Sequence, residues 1–393
     1  MSEWKECKLG DIAIITDCEH KTAPLVDSSE FISVRTSNIQ NGKIDFENSN
    51  RVSYEVYEEW TKRLKPNVGD IVLAREAPVG EVGWIPKGKK VCLGQRTVLI
   101  RTTDKSINPK YLLYYLVNDE VKNDLINRST GSVVEHLNVK DIKNFDLRIH
   151  NLLEEQGTIA SVLTSLDDKI DLLHRQNATL EAMAETLFRQ WFVEDAKEDW
   201  EEITLFDAID LIGGGTPKTS MPEYWHGNIK WLSGGDIANN HKSIIISSEK
   251  SITELGLKNS SAKLLPKFST IISARGTVGK YCILSEPMTF SQSNYGIKPK
   301  YENCYFFTYL LIAYSVDELI SAAYGSVFDT ITTDTFKGHS VTLPKINIIK
   351  DFELEVTPLF KKMLNNQTQI RTLTALRDTL LPKLMSGEIR VIN

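Results

Sequence analysis

Three short loops carry side chains suited to reading a planar hydrogen-bonding edge. Arg35, Ser37 and Asn38 lie between a strand signal and the turn Asn41-Gly42; Arg75 follows the apolar run Ile71–Ala74; Gln95-Arg96 closes another strand signal. Arginine can bond guanine O6 and N7 together, and Asn or Gln can do the same with adenine N6 and N7. A second set, Ser233, Asp236, Arg275, Gln292, Ser293 and Asn294, stands at matching places later in the chain. Lys62, Arg63 and Lys65, with Lys87, Lys89 and Lys90, are better suited to phosphate, which attracts charge without reading sequence. Solvated surface loops present the same side chains, and a clamped arginine can brace its own loop. Residue types alone leave these readings open.

Signatures of catalysis are missing. No G-x-x-x-x-G-K-S/T, G-x-S-x-G or H-E-x-x-H is present. Neither is the N/D-P-P-Y/F adenine-binding loop of amino-methyltransferases. Gly213-Gly214-Gly215-Thr216-Pro217 is Gly-rich, but without a following Lys-Ser/Thr it reads as a turn. The seven His are scattered without metal-ligand spacing. Asp17 with Glu19-His20-Lys21 imitates a nuclease cluster, yet E-x-K triplets recur at Glu3-Trp4-Lys5 and Glu6-Cys7-Lys8. The expectation is a non-catalytic chain that holds no metal or cofactor itself.

Composition agrees. The chain has 393 residues, 41% apolar and 25% charged, which suits a globular protein of two or three domains. Five Cys without a C-x-x-C pair argue against a disulfide framework or zinc site. The start lacks the apolar core of a signal peptide, and the apolar stretch around Tyr305–Tyr314 is about half of a membrane span. A cytoplasmic protein is expected. The net charge of −6 conceals its layout: residues 1–150 carry 22 basic and 22 acidic groups, 151–199 carry 4 and 11, 200–350 carry 14 and 14, and 351–393 carry 6 and 5. Acidity is confined to one short segment, so either larger segment can present a basic face.

The chain is also one unit written twice. Trp4-Lys5-Glu6 is echoed by Trp200-Glu201-Glu202, Asn38-Ile39 by Asp236-Ile237, Ala74-Arg75 by Ala274-Arg275, Val79-Gly80 by Val278-Gly279, and Gln95-Arg96 by Gln292-Ser293. Tyr111–Val117 matches Tyr305–Leu311, and Gly131-Ser132-Val133 matches Gly325-Ser326-Val327, the offset drifting only from 200 to 194. Arg75 and Arg275 stand out because this pairing keeps both. Each half reads as short strands and turns, a helix (about 110–128 and 303–323), a Gly-Ser turn and a long helix. The first long helix repeats Ile159, Leu163, Leu166, Ile170, Leu173, Asn177, Leu180, Ala184, Leu187 and Trp191 at steps of four and three. The second repeats Val356, Leu359, Met363, Asn366, Ile370, Leu373, Arg377, Leu380 and Leu384, with Pro382 and Gly387 marking its end. That period is the seam of a coiled coil; surface helices packed on their own domains are the alternative. An antiparallel pair of helices about 50–60 Å long would relate two globular units by a pseudo-two-fold axis. Asn177 and Asn366 would fix its register if they meet.

The expected fold is α+β, with domains at 1–150 and 196–350 and long helices in 151–195 and 351–393. Duplex DNA has an approximate dyad, so two diverged readers can meet two half-sites separated by a fixed gap. The residues also resemble a known family. EEQGTIASVLTSLDDKIDLLHRQNATLEAMAETLFRQWFVE (154–194) resembles the central conserved region of type I restriction–modification specificity subunits. GGGTPKTSMPEYWHGNIKWLSGGDI (213–237) resembles the opening of one of their target-recognition domains, and ALRDTLLPKLMSGEIRV (375–391) their C-terminal conserved region. DCEHKTAP (17–24), VRTSNIQNGKI (34–44) and CLGQRT (92–97) resemble a recognition-domain subtype of the same family.

The resemblance implies two target-recognition domains that read a split, asymmetric site in double-stranded DNA. It also implies a helical spacer that docks two adenine-N6 methyltransferase subunits, together with restriction/translocase subunits. S-adenosylmethionine, ATP and Mg belong on those partners. Two departures stand out. His150-Asn151-Leu152-Leu153 replaces the usual Pro-Pro, and the second helix, read as opening at Thr357-Pro358, lacks the usual Glu-Gln. An S-like subunit of a combined restriction-and-modification enzyme, or a coiled-coil scaffold that never reads DNA, are the alternative functions.

Overall fold

The computed structural model describes residues 3–128, 136–324 and 329–391. The Gly131–Val133 and Gly325–Val327 echo lies outside them. Two compact units emerge, Met1–Lys169 with Leu373–Asn393, and Ile170–Thr372.

In the first unit, Ile71–Ala74 is a continuous apolar strand because both of its faces are covered. Successive side chains alternate across a strand, so Ile71 and Leu73 enter a core with Val98, Ile100 and the helical residues Tyr111–Leu116. Val72 and Ala74 enter another with Val34, Leu93 and Leu99. The strand sits in an antiparallel sheet ordered Ala13–Asp17, Thr97–Thr102, Ile71–Ala74, Val82–Trp84. Below it, Phe31–Val34 runs antiparallel to Asn50–Arg51 and parallel to Lys90–Leu93. Trp4–Lys8 and Asp146–His150 form a separate ribbon.

The second unit repeats this plan. Its larger sheet runs Ile209–Gly213, Asn294–Pro299, Thr270–Ser273, Tyr281–Leu284, Ile244–Ile245. Trp225–Leu232 pairs antiparallel with Lys250–Ile252 and parallel with Thr289–Phe290, and Glu201–Thr204 pairs with Ser340–Leu343. Ile272, Ile283 and Ile297 face one core; Ile271, Cys282 and Leu284 face the other. The helix Tyr305–Tyr324 has the length and composition of a membrane span, but Phe307, Tyr309, Leu310 and Ile312 fill this unit's core.

The helix expected over about 110–128 is two helices, Pro109–Val117 and Asp119–Asn127. Asn118 ends the first with its backbone, and its side chain accepts from Glu120 N–H to start the second. The first long helix, Leu153–Arg189, closes in a wide π turn, Gln190–Glu194. The second, Ile346–Ser386, begins before Thr357 and carries both Pro358 and Pro382 inside it. Its stop is Gly387, whose φ of 76° suits glycine. A Cβ there would also lie 2.8 Å from the Trp4 ring.

Within each unit the two long helices pack antiparallel. In the first, Arg377 bonds Asp167 at 2.8 Å while Ile159 and Leu163 share a core with Leu381 and Leu384. In the second, Asn366, fully buried, donates to Asn177 Oδ1 at 2.9 Å, and Phe188 and Trp191 meet the Phe352 ring. None of the seam residues is exposed. A strict two-in-seven seam nevertheless proves too narrow. Gln156 and Ala160, and Glu181, Phe188 and Phe192, are buried as well, because these ends also pack on the globular body.

Each long helix anchors a core helix by a buried side chain. Gln156 Oε1 accepts from Asn108 N–H at 2.8 Å. The counterpart in the second unit is Glu353, which accepts from Phe306 and Phe307 N–H at 3.1 and 2.7 Å. Tyr309 O–H donates to buried Glu181 at 2.6 Å. Burial outweighs these bonds and pushes both carboxyls up to about 7. A carboxyl whose folded value lies above its unfolded value, 4.5, stabilises the fold fully below pH 4.5, and that contribution is lost as pH rises through 7. Glu181→Gln, whose amide oxygen can still accept from Tyr309, should therefore raise stability at pH 8, on the order of 1–3 kcal/mol, with little change at pH 5. Denaturant unfolding at both pH values checks this, and an E181Q chain no more stable than wild type at pH 8 would refute it.

Candidate nucleic-acid interface

The strand Phe31–Val34 ends at Arg35, where a short 3-10 turn, Thr36–Asn38, begins. Asn38 is buried: its Oδ1 accepts from Arg35 N–H at 3.0 Å, and its Nδ2 donates to the Asn48 carbonyl at 3.3 Å. Arg35 and Ser37 are left exposed. Against this turn runs the segment after Leu93. Gly94 N–H donates to the Val34 carbonyl at 2.7 Å, and a Cβ on Gly94 would lie 2.6 Å from that oxygen. Glycine alone permits the approach that sets Gln95-Arg96 beside Arg35.

The result is a cleft of about 350 Å³ whose lining includes Lys21, Arg35, Ser37, Asn50, Gln95 and Arg96. Three cations and two carboxamides line it, and no carboxylate does. Four of the residues expected from sequence meet here. Lys21 and Asn50 were missed; Lys21 stood in the DCEHKTAP segment, read there only as part of an acidic–basic cluster. Lys62, Arg63 and Lys65 are exposed but do not line the cleft. Arg63 bonds Glu19 at 3.1 Å and the Cys18 carbonyl at 3.2 Å, and Lys65 bonds Glu58 at 2.7 Å. Lys87, Lys89 and Lys90 are exposed; Lys90 pairs with Glu30 at 2.6 Å.

Arg75 corrects the expectation of a direct contact. Only 5% exposed, it donates from Nε to the Leu137 carbonyl at 2.8 Å, from one terminal nitrogen to Asp17 at 2.6 Å, and from the other to His136 Nε2 at 2.7 Å. Its guanidinium braces the protein. Asp17 is thereby a brace too, not part of a nuclease cluster, and among the described residues no group of His, Cys, Asp or Glu is placed to hold a metal.

The pairing of Arg75 with Arg275 is itself corrected. Arg75 N–H donates to the Arg96 carbonyl at 2.8 Å, and Leu137 N–H to the Arg75 carbonyl at 3.0 Å. In the second unit the same two bonds are Ala274 N–H to Ser293 and Ile331 N–H to Ala274, at 3.0 and 3.1 Å. The ladders agree, with Ala74 opposite Thr97 and Ser273 opposite Asn294. Arg75 thus corresponds to Ala274, and Arg275 to Glu76. The shared Ala-Arg dipeptide is out of register by one residue, which places one arginine inside and the other outside.

In the second unit the corresponding loops also converge. Ser233 and Asp236 cap the short helix Gly234–Asn239 reciprocally, Ser233 N–H donating to Asp236 at 2.8 Å; the other Asp236 oxygen accepts from Glu249 N–H at 3.0 Å. Asp236, like Asn38, is a structural cap. Thr277 Oγ1 donates to the Gly234 carbonyl at 3.3 Å. Asn294 is buried and donates to Ser291 at 2.8 Å. Arg275 and Gln292 are exposed and Ser293 half-buried; Gln292 bonds Thr216, and Arg275 makes no ion pair with any described residue. Gly214 and Gly215 are demanded by packing, since a Cβ on either would fall within 2.3 Å of the Ser291 or Ser261 backbone. The clamp around Arg75 makes a firm forecast. Arg75→Ala should cost the first unit about 3 kcal/mol, while Arg275→Ala stays within about 0.5 kcal/mol of wild type; chemical denaturation of the two variants decides it.

Known proteins are similar to this chain in sequence and fold. The family model for the type I restriction modification DNA specificity domain matches residues 1–182 and again 197–375, once per repeat. The chain is 26% identical over 361 residues to the type I restriction enzyme MjaIX specificity subunit of Methanocaldococcus jannaschii, covering 86% of this chain and 82% of that one. It is 24% identical over 470 residues to the HindI specificity subunit of Haemophilus influenzae, covering 99% and 100%. The fold is similar to the crystal structure of a type I restriction–modification system S subunit from M. genitalium, with a TM-score of 0.63 at 15% identity, over 97% of this chain and 96% of that one. With both repeats matched across nearly its whole length, the chain belongs to the type I restriction–modification DNA specificity family, as a DNA-specificity subunit.

Proposed function

We propose that the cleft of the first unit reads one half of a split duplex target and the converging loops of the second unit meet the other half. The observation that carries this reading is the cleft lining: Lys21, Arg35, Gln95 and Arg96 with no carboxylate, in a chain whose net charge is −6. Such a lining attracts a polyanion and offers donors to base edges in one place. Arg35, Ser37, Gln95 and Arg96 serve the first half-site; Arg275, Gln292 and Ser293 serve the second. Lys62 supplies a phosphate contact at the margin. Arg75, Asn38, Asp236 and Asn294 hold the loops.

The chain docks two adenine-N6 methyltransferase subunits and, with them, restriction/translocase subunits, in the cytoplasm. The long helices that pass from one unit into the other are the spacer between half-sites. S-adenosylmethionine, ATP and Mg act on the partners.

The test is mapping of N6-methyladenine in cells carrying the chain and its methyltransferase partner. A split motif should vanish when this chain alone is removed. The double variant R35A/Q95A should relax one half of the motif at least ten-fold and leave the other intact; R275A/Q292A should act on the opposite half. Methylation that persists unchanged without the chain would defeat the reading.

A further inference from the structure

The exposed arginine of the cleft is held by a second residue that sequence reading passed over. Arg96 and Glu76 form an ion pair, with Nε 2.8 Å from Oε2, and the other carboxylate oxygen of Glu76 lies 2.8 Å from His136 Nδ1. His136 Nε2 in turn faces an Arg75 terminal nitrogen at 2.7 Å. Arginine only donates, so Nε2 must accept and the ring proton sits on Nδ1, donating to Glu76. Asp17 holds the other Arg75 terminal nitrogen, and His20 lies 3.2 Å from Asp17. Charge and polarity therefore alternate without a gap from the interior of the unit to the cleft. Glu76 is largely buried at 15% side-chain exposure, whereas Arg96 is 60% exposed. The Arg96 backbone is fixed as well, through its carbonyl and its left-handed φ of 67°.

This geometry leaves a particular part of Arg96 unused. Glu76 approaches the guanidinium from its Nε side, and no described side chain pairs with the two terminal nitrogens. Those nitrogens form a planar fork of donors that matches guanine O6 and N7. An arginine already immobilised on folding loses less freedom on binding, which sharpens discrimination. The second unit lacks the device. By the corrected register, Arg275 stands where Glu76 does and Ser293 where Arg96 does, and Arg275 pairs with no carboxylate among the described residues.

We propose that Glu76 is a positioning residue that orients Arg96 to read a guanine in the first half-site. This rests on the DNA-reading function proposed for the cleft. The experiment uses the full chain in complex with its methyltransferase partner, a randomised duplex library and sequencing of methylated products. Wild type should require guanine at one position of one half-site. Glu76→Ala and Arg96→Ala should each weaken that preference about ten- to hundred-fold at the same position, and Glu76→Gln, which keeps one acceptor, should fall between. Arg96 is exposed, so R96A reports on the reading even where E76A harms folding.

Relaxation at different positions by E76A and R96A, or no guanine requirement affected by R96A, would overturn the proposal. So would a uniform loss across all sequences in folded E76A. A library without preference in either half would instead remove the DNA-reading function beneath it.

Discussion

Two backbone hydrogen bonds govern where every outward-facing side chain of the recognition loops ends up. Arg75 N–H to the Arg96 carbonyl, and Ala274 N–H to the Ser293 carbonyl, tie the loop leaving one central strand to the turn entering the next. The strands they join are buried on both faces, so neither can slip without moving its side chains into the wrong core. The loops inherit that rigidity. Once the register is set, the residue at position 75 or 274 points inward and the one after it lies nearer the surface, Glu76 still largely covered and Arg275 exposed. An arginine in the first place becomes a brace and an arginine in the second becomes a surface cation.

The polar residues divide accordingly. Asn38 and Asp236 occupy corresponding places and do the same work, accepting the backbone N–H three residues earlier to close a turn. Burying such groups is tolerable because their bonds are satisfied inside the protein. The neighbours they position differ between the units, with Arg35 and Ser37 in one and Ser233 and Gly235 at the same places in the other. Conserving the cap while varying its neighbours allows two readers to share one scaffold and prefer different bases.

The sequence was informative about periodicity and composition, and uninformative about single-residue register. The repeat, the alternation of strand and turn, and the two long helices follow from patterns spread over many residues, where one misplaced position changes little. The Ala-Arg dipeptide is only two residues long, and matching it by identity put Arg75 opposite Arg275; only the hydrogen-bond ladder reveals the one-residue shift. Helix boundaries failed for a related reason. Asn118 breaks a helix by its cap geometry, whereas Pro382 lies inside the last helix, which runs on to Ser386 and stops at Gly387. The seam was legible in the middle of the long helices and wider than expected at their ends, since a heptad pattern cannot announce that a third element packs on the flank. Arg35, Ser37, Gln95 and Arg96 were found by type, yet their convergence depended on Gly94, whose role lies in the side chain it lacks.

The first unit joins the beginning of the chain to its end: Trp4 lies under Gly387, and His150 faces the Leu384 carbonyl at 2.9 Å. Leu381, Leu384 and Met385 belong to the same core as Leu9 and Ile12. The second unit, Ile170–Thr372, is thus an insertion within the first. Closing the first core means closing a loop as long as that whole unit, an entropy cost that grows only slowly with loop length, whereas the second unit's core residues all come from one continuous stretch.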